Sequence, residues 1–323
     1  MTEKSNSKFL LLGEAVVDLI STEIVNTLED ASSFQKFAGG EVSNLAMNLS
    51  RLGFPAALGA CVGQDSFGIF LRKELAEAGV NLTNLQSTSE APTTIIPIAR
   101  QTETPDFAVY RGADRCLTLT DPLISAVADS RAVHTSAFAL SRDPCRSTIY
   151  HLLKAAHKAN LLISLDPNYH PGIEPDLPDY LPFLKEIFQL ITVTKPSLDD
   201  CIRIFGPDLK PVQYLELFLN LGPAIVALTM GRQGALLGTS AGDRVHIQAN
   251  SIPVKDVTGA GDAFWSGLLT GLLQGMHPIE AAQLGQAIAE YKIGIIGPVK
   301  EFLPFEDFKK QAKEIRFTKQ ISG

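Results

Sequence analysis

Residues 256–275 read DVTGAGDAFWSGLLTGLLQG. Gly259 and Gly261 can take backbone angles closed to other residues and let an anionic ligand approach the main chain. The apolar run from Ala263 is long enough for three or more helical turns. The spacing predicts a tight turn that delivers a helix N-terminus into a buried place, with free N–H groups from about Gly259 to Ala263. Those groups and the helix dipole attract a phosphate or another anion. Asp262 stands just inside this start. It either caps the helix or takes a proton from a hydroxyl attacking the phosphate, the task of the one positioned acid in phosphoryl transfer. Gly267, Gly271 and Gly275 recur every fourth residue on one helix face, a ridge that serves close packing and needs no function.

Upstream of this segment, helix and strand patterns alternate. Strands are predicted at 132–135, 161–166, 191–194 and 224–229, with helices at 145–159, 178–190 and 211–219 and one containing Leu198, Ile202 and Phe205 between them. Polar residues fall at the strand ends: Asp166, Asn168, Lys195 and Thr229, the last followed by a turn containing Gly231 and Gly234. In an open parallel sheet ligands collect at the carboxyl ends of strands, so these positions point to one cleft, although each alone could be a turn residue. Downstream, helices are predicted at 278–291 and 306–317.

The N-terminal part follows the same pattern. A buried strand at 9–12 ends at Gly13, and Asp18 lies in an otherwise apolar extended segment, as a ligand-reaching acid or a turn residue. Gly39 and Gly40 form a tight turn before a helix whose first turn contains Asn44, a capping residue or a ligand contact. A strand at 56–62 and a helix at 67–78 come next. The runs at 93–98 and 107–111, joined by the polar QTETPD, have no helix between them and predict a small antiparallel sheet over the site. Arg111 ends this piece, exposed or holding a hydroxyl or carboxylate.

With 323 residues the chain can bury well over half its surface. Its net charge of -7 argues against wholesale nucleic-acid binding while allowing a local anion site. Cys61, Cys116, Cys145 and Cys201 are scattered without metal spacing, which suits a reducing cytoplasm and no structural zinc. The N-terminus lacks the apolar core and cleavage site of a signal peptide, and the run at 263–273 is too short for a membrane span. No P-loop, no dinucleotide GxGxxG after the first strand and no GxSxG elbow is present. From the residues, phosphoryl transfer leads, with a phosphosugar-binding or isomerising enzyme behind it.

Two segments, AGGEVSNLAMNLSRLG at 38–53 and DVTGAGDAFWSG at 256–267, make the chain resemble the ribokinase-like, or PfkB, carbohydrate kinases over nearly its whole length. The resemblance implies a single α/β domain over residues 1–323. Its fold would be a Rossmann-like three-layer α/β/α core with a mostly parallel sheet and a small β-sheet lid, formed from about 14–38 and 92–111. It implies ATP as donor, Mg2+ neutralising phosphate charge and, frequently, a monovalent cation such as K+ nearby. Asp262 is then the catalytic base, and the backbone of Gly259, Ala260 and Gly261 the anion hole. Asp18, Gly39, Gly40, Asn44, Arg111, Asp166 and Asn168 fall on the sugar side. Lys195, Thr229, Gly231, Gly234 and Thr258 fall beside the nucleotide, and Asp256 and Asp200 at the metal.

Two departures stand out. His170 occupies the arginine position of the family's D-P-N-x-R, and Ser197 with Asp200 replaces N-x-x-E. The segment at 106–121 and GGEVSN in place of GGKGxN resemble fructokinases and ketosugar-acid kinases. The expected acceptor is therefore the primary 6-hydroxyl of fructose, with 2-keto-3-deoxygluconate and 5-dehydro-2-deoxygluconate next. A non-catalytic sugar or nucleotide sensor is the reading of a different class. Lid edges that pair between subunits would give a homodimer.

Overall fold

The computed structural model describes residues 9–101, 106–173 and 177–319. In chain order the strands are β1 (Phe9–Leu12), β2 (Val16–Ile24), β3 (Phe34–Gly39), β4 (Ala56–Gly63), β5 (Leu85–Thr88), β6 (Ile95–Arg100), β7 (Ala132–Ser136), β8 (Leu162–Asp166), β9 (Val193–Thr194), β10 (Ile225–Thr229), β11 (Ala235–Thr239), β12 (Arg244–Ile247) and β13 (Phe317–Lys319). The helices are α1 (Glu41–Arg51), α2 (Ser66–Glu77), α3 (Asp121–Ala128), α4 (Cys145–Lys158), α5 (Leu177–Phe188), α6 (Leu198–Phe205), α7 (Pro211–Asn220), α8 (Ala260–Leu273), α9 (Pro278–Ile293) and α10 (Phe305–Ala312).

Ten strands form one sheet in the order β13-β12-β11-β10-β9-β8-β7-β1-β4-β5. From β10 to β5 every neighbour is parallel, and β11, β12 and β13 close one edge antiparallel. Both faces are covered, which is why β1 is apolar without alternation. Phe9 and Leu11 pack into a core layer shared with α1, α2, α8, α9 and α10, while Leu10 and Leu12 pack into the layer under α4, α5 and α7. The expected three-layer, mostly parallel architecture is present.

The small sheet has the order β3-β2-β6. The runs at 93–98 and 107–111 do approach antiparallel, as expected, but the sheet itself is mixed, because β2 pairs with β6 in parallel and with β3 antiparallel. Phe107 and Tyr110 make isolated antiparallel bridges to β6 instead of a continuous strand, and most of the QTETPD connection lies outside the described residues. The last predicted helix is also shorter than its pattern. It stops at Ala312, and Phe317 enters β13, whose backbone pairs with the otherwise open edge of β12.

The glycine ridge of α8 has the packing role its spacing suggests. A Cβ on Gly267 would lie 2.6 Å from Gly285 Cα, and one on Gly271 would lie 2.9 Å from Ala281 Cα, so the backbones of α8 and α9 meet there. Gly275 is not part of the contact and follows the helix end with φ of 81°. No helix among the described residues is long and apolar enough to cross a membrane.

Candidate active site

The carboxyl ends of β1, β7, β8, β9 and β10 lie along one side of the sheet, and the strand order reverses between β1 and β7, where a doubly wound sheet opens a crevice. The chain leaves β1 directly into the small sheet, which places Asp18 above this crevice. The N-terminus of α8 points into it from the other side.

Gly259 caps α8 in the left-handed conformation, φ 77°. The Ala260 N–H, the middle member of the expected anion hole, donates to the Val257 carbonyl at 3.1 Å. Among the described residues the N–H groups of Gly259 and Gly261 have no protein acceptor, as expected of a first helical turn. Asp256 anchors the turn from behind. Its Oδ1 accepts from the Thr258 N–H at 2.9 Å and its Oδ2 from the Gly297 N–H at 2.8 Å, with Lys292 Nζ at 3.4 Å from Oδ2. Burial alone would raise this carboxyl, but those bonds and Lys292 hold it below the usual range.

Two cavities meet at this helix start. The first, narrow and beneath the small sheet, is lined by Asp18, Asn44, Thr258, Gly259 and Asp262. The second, of 650 Å³, is lined by Thr229, Gly231, Gly234, Ala260 and Gly261, with Val254, Val257 and Phe264 supplying an apolar wall. Val254 and Val257 are 42% and 52% exposed there, open to a flat apolar ligand.

In the first cavity Asn44 Nδ2 donates to Asp262 Oδ2 at 3.0 Å. Burial pushes Asp262 up to about 6, against the pull of Asn44 and Lys195. Asp18 is pushed up to about 7 by burial, then by Asp262 and Glu14. Gly39 must lack a side chain because a Cβ would fall 2.0 Å from Asp18 Oδ2. Gly40, with φ 96°, starts α1 and so sets the position of Asn44.

Lys195 leaves the end of β9, buried, with Nζ 3.0 Å from Asp166 Oδ2 and 3.4 Å from where a Gly261 Cβ would stand. Burial lowers its affinity for a proton, but Asp166 more than offsets this and the ammonium sits above the usual lysine range.

Several expected site residues lie away from the two cavities. Asp166, expected on the sugar side, lines neither: it is buried, Oδ2 accepts from Trp265 Nε1 at 2.7 Å and from Lys195, and Oδ1 accepts from the Asn168 N–H at 3.1 Å. Asn168 is exposed with φ 30°, a turn residue lining neither cavity. Arg111 also lines neither. Its guanidinium lies 3.9 Å over the Phe138 ring and bonds Asp114 at 2.6 Å and Ser141 at 2.9 Å. Thr258, expected beside the nucleotide, lines the first cavity. Asp256, expected at the metal, has both carboxylate oxygens engaged in anchoring the turn.

Ser197 and Asp200 form a capping box at the start of α6: Ser197 Oγ accepts from the Asp200 N–H at 3.0 Å, and Asp200 Oδ2 accepts from the Ser197 N–H at 2.8 Å. His170 packs against Phe107, ring centroids 4.7 Å apart, and burial lowers its pKa, so it is no substitute for an arginine.

Three groups escaped sequence reasoning. Lys292 and Arg51 line the first cavity, Arg51 donating to the Val299 carbonyl at 2.8 Å. A basic residue near the end of the Ala-rich α9 was the available signal for Lys292. Beneath the site, His134 Nε2 lies 3.0 Å from Glu41 and Nδ1 lies 2.8 Å from Ser164 Oγ. Burial raises Glu41 well above the carboxylate range and pushes His134 down to about 3, so this is a neutral hydrogen-bonded pair, not an ion pair. Nothing local in the sequence links residues 41 and 134.

The family described as pfkB family carbohydrate kinase matches residues 6–301. An ATP-dependent 6-phosphofructokinase of Thermoanaerobacterium thermosaccharolyticum is 33% identical over 300 residues, 93% of this chain and 92% of the relative. A fructokinase structure from Halothermothrix orenii is 34% identical with a TM-score of 0.77, covering 90% of this chain and 100% of that one. A sugar kinase from Pyrococcus horikoshii, solved in complex with ATP, is 26% identical with a TM-score of 0.81, covering 95% of this chain and 99% of that one.

Proposed function

Because this chain belongs to the pfkB family of carbohydrate kinases, we propose that it transfers the γ-phosphoryl group of ATP to the primary 6-hydroxyl of fructose, giving fructose 6-phosphate and ADP. The observation that carries this reading is that both cavities share the N-terminus of α8, with Asp262 facing one and Gly261 the other. Acceptor and donor are thereby held on opposite sides of one anion-binding turn, the arrangement an in-line transfer requires.

The sugar lies among Asp18, Asn44 and Asp262, and the adenosine against Val254 and Val257 beyond Thr229, Gly231 and Gly234. Asp262 takes the hydroxyl proton as the sugar oxygen forms its bond to the γ-phosphorus. The bond from that phosphorus to the β,γ-bridging oxygen breaks, and the electron pair leaves with ADP. The Gly259 and Gly261 N–H groups and the Lys195 ammonium meet the charge on the transferred group. Mg2+ bound with ATP neutralises phosphate charge. Asp200, expected at the metal, lines neither cavity; its Oδ1 is buried with no hydrogen-bond partner among the described residues and lies 3.9 Å from Arg203, so it would act on the ion only through the charge it places beside Lys195.

The charge of the first cavity supports a neutral sugar. Its lining cations are Arg51 and Lys292, both engaged by protein oxygens, while Asp18 and Asp262 bring carboxyls. A phosphosugar or sugar acid brings an anion that finds no free cation among these lining residues. The 33% identity to a 6-phosphofructokinase favours a second reading, phosphorylation of the remaining primary hydroxyl of fructose 6-phosphate. ADP formation is to be measured over fructose, fructose 6-phosphate, 2-keto-3-deoxygluconate and 5-dehydro-2-deoxygluconate. The fructose assignment fails if another member of this panel has the highest kcat/KM.

Two wider features belong to the same proposal. Ile24 and Phe34 on the small sheet are 66% and 40% exposed, which supports a homodimer through the lid, to be checked by mass in solution. The four cysteines are free, which fits a cytoplasmic setting.

A further inference from the structure

Lys292, near the end of α9, lies directly behind the anion-binding turn. Its Nζ donates to the Asp256 carbonyl at 3.3 Å, to Asp256 Oδ2 at 3.4 Å and to the Ile295 carbonyl at 3.2 Å. The side chain is 4% exposed. Three oxygens around one nitrogen match the three donors of an ammonium group, and a neutral amine would leave one unmatched. The aliphatic stem passes beneath the turn, where a Cβ on Gly259 would lie 3.6 Å from Lys292 Cε. The end of α9 also favours a cation through its dipole.

A half-buried carboxylate and two carbonyls converging on one point form the kind of cage that a monovalent cation occupies. Here the protein's own ammonium fills it, so the K+ expected from the resemblance does not fit at this place. Asp256 Oδ2 also accepts from the Gly297 N–H, and Oδ1 from the Thr258 N–H, so the group neutralised by Lys292 is the one that fixes the backbone on both sides. Without a cation the half-buried Asp256 carboxylate would face carbonyl oxygens uncompensated, and the turn carrying Gly259 and Gly261 would lose its anchor.

We propose that Lys292 is a resident cation and a positioning residue of this site, holding the turn of Gly259 and Gly261 so that phosphoryl transfer requires no added monovalent cation. This rests on reading that turn as the place where the phosphoryl group is held.

The test compares the purified chain with Lys292→Met and Lys292→Gln in tetramethylammonium chloride, potassium chloride and ammonium chloride at equal ionic strength. Fructose-dependent ADP formation and Tm are both recorded. The unsubstituted enzyme is expected to have the same kcat and the same Tm in all three salts. Each variant is expected to lose about 100-fold in kcat in tetramethylammonium chloride, and to recover about tenfold or more of it, with a higher Tm, in potassium or ammonium chloride. A purely structural lysine would not give a kcat restored by a small cation. Saturable activation of the unsubstituted enzyme by K+ overturns the proposal, as does a folded variant with full turnover in every salt. If both variants fail to fold, the response of the unsubstituted enzyme to K+ decides alone. If the enzyme phosphorylates no sugar, the kinase reading fails separately, and Tm against K+ still reports whether the cage is already filled.

Discussion

Asn44 Nδ2 donates to Asp262 Oδ2 at 3.0 Å, joining the first turn of α1 to the first turn of α8 across 218 positions of sequence. The bond favours the ionised carboxylate, as do Lys195 and Lys292, while burial and Asp166 oppose it, and the balance leaves Asp262 at about 6. A base must be unprotonated, so turnover is expected to fall as pH drops through about 6 and to level off above it. Asp18, pushed up to about 7 partly by Asp262, titrates beside it, and the observed limb belongs to the pair. Asn44→Leu removes a bond to the charged form, and its kcat limb is expected at higher pH. A limb that stays in place or moves down would show that Asn44 does not tune Asp262. The measurement is kcat against pH between about 5 and 9.

Asp262→Asn keeps the size of the side chain and removes proton acceptance. Turnover is expected to fall by about 10²- to 10⁴-fold, the usual worth of a positioned base. ATP affinity should change little, because the second cavity is lined by Ala260 and Gly261 and not by Asp262. Quenching of Trp265, whose Nε1 bonds Asp166 beside Lys195, gives a binding readout separate from turnover. Near-normal turnover in this variant would remove Asp262 from the role of base.

Gly39→Ala tests the placement of Asp18. The added methyl would stand 2.0 Å from Asp18 Oδ2, so the carboxyl has to swing away from the first cavity. KM for the sugar is expected to rise by about tenfold or more, consistent with losing one hydrogen-bonded polar contact of about 1.5–3 kcal/mol. KM for ATP should be nearly unchanged. An equal rise in both would place Asp18 away from the acceptor.

The signature of α8 was legible because its glycines, acid and apolar run are contiguous, and the strand ends were legible because apolar runs stop at polar residues. What could not be read was which side each polar residue faces. Asp166 ends β8 as expected, yet it turns inward to Trp265 and Lys195. Arg111 is drawn away by Asp114 and the Phe138 ring. Glu41 and His134 meet only because β7 lies beside β1 and under α1, a relation that strand order creates and local pattern does not contain. The antiparallel approach of 93–98 and 107–111 was legible because no helix separates them, and it is present as the bridges Ile95–Tyr110 and Ile98–Phe107, whereas the parallel alignment of β6 with β2 is long-range and had no local signal.

Gly267→Ala separates packing from propensity in α8. Alanine is favoured over glycine inside a helix by about 1 kcal/mol, so an exposed site would be stabilised. Here the new Cβ would lie 2.6 Å from Gly285 Cα and 2.7 Å from the Leu284 carbonyl oxygen, contacts that only a shift of α9 relieves. Overpacking of this kind costs about 1–3 kcal/mol, which exceeds the propensity gain over most of its range, and a lower Tm is expected. Since α9 carries Lys292 and α8 carries Asp262, the shift should lower kcat as well, by a smaller factor than Asp262→Asn does. Gly275→Ala, beyond the helix end with φ of 81° and open space around the new Cβ, serves as the contrast. It strains the backbone, leaves the α8–α9 contact intact, and is expected to lower Tm with kcat preserved. If Gly267→Ala melted at or above the temperature of the unsubstituted protein, the close approach of the two helices at Gly285 would not be a constraint on the fold.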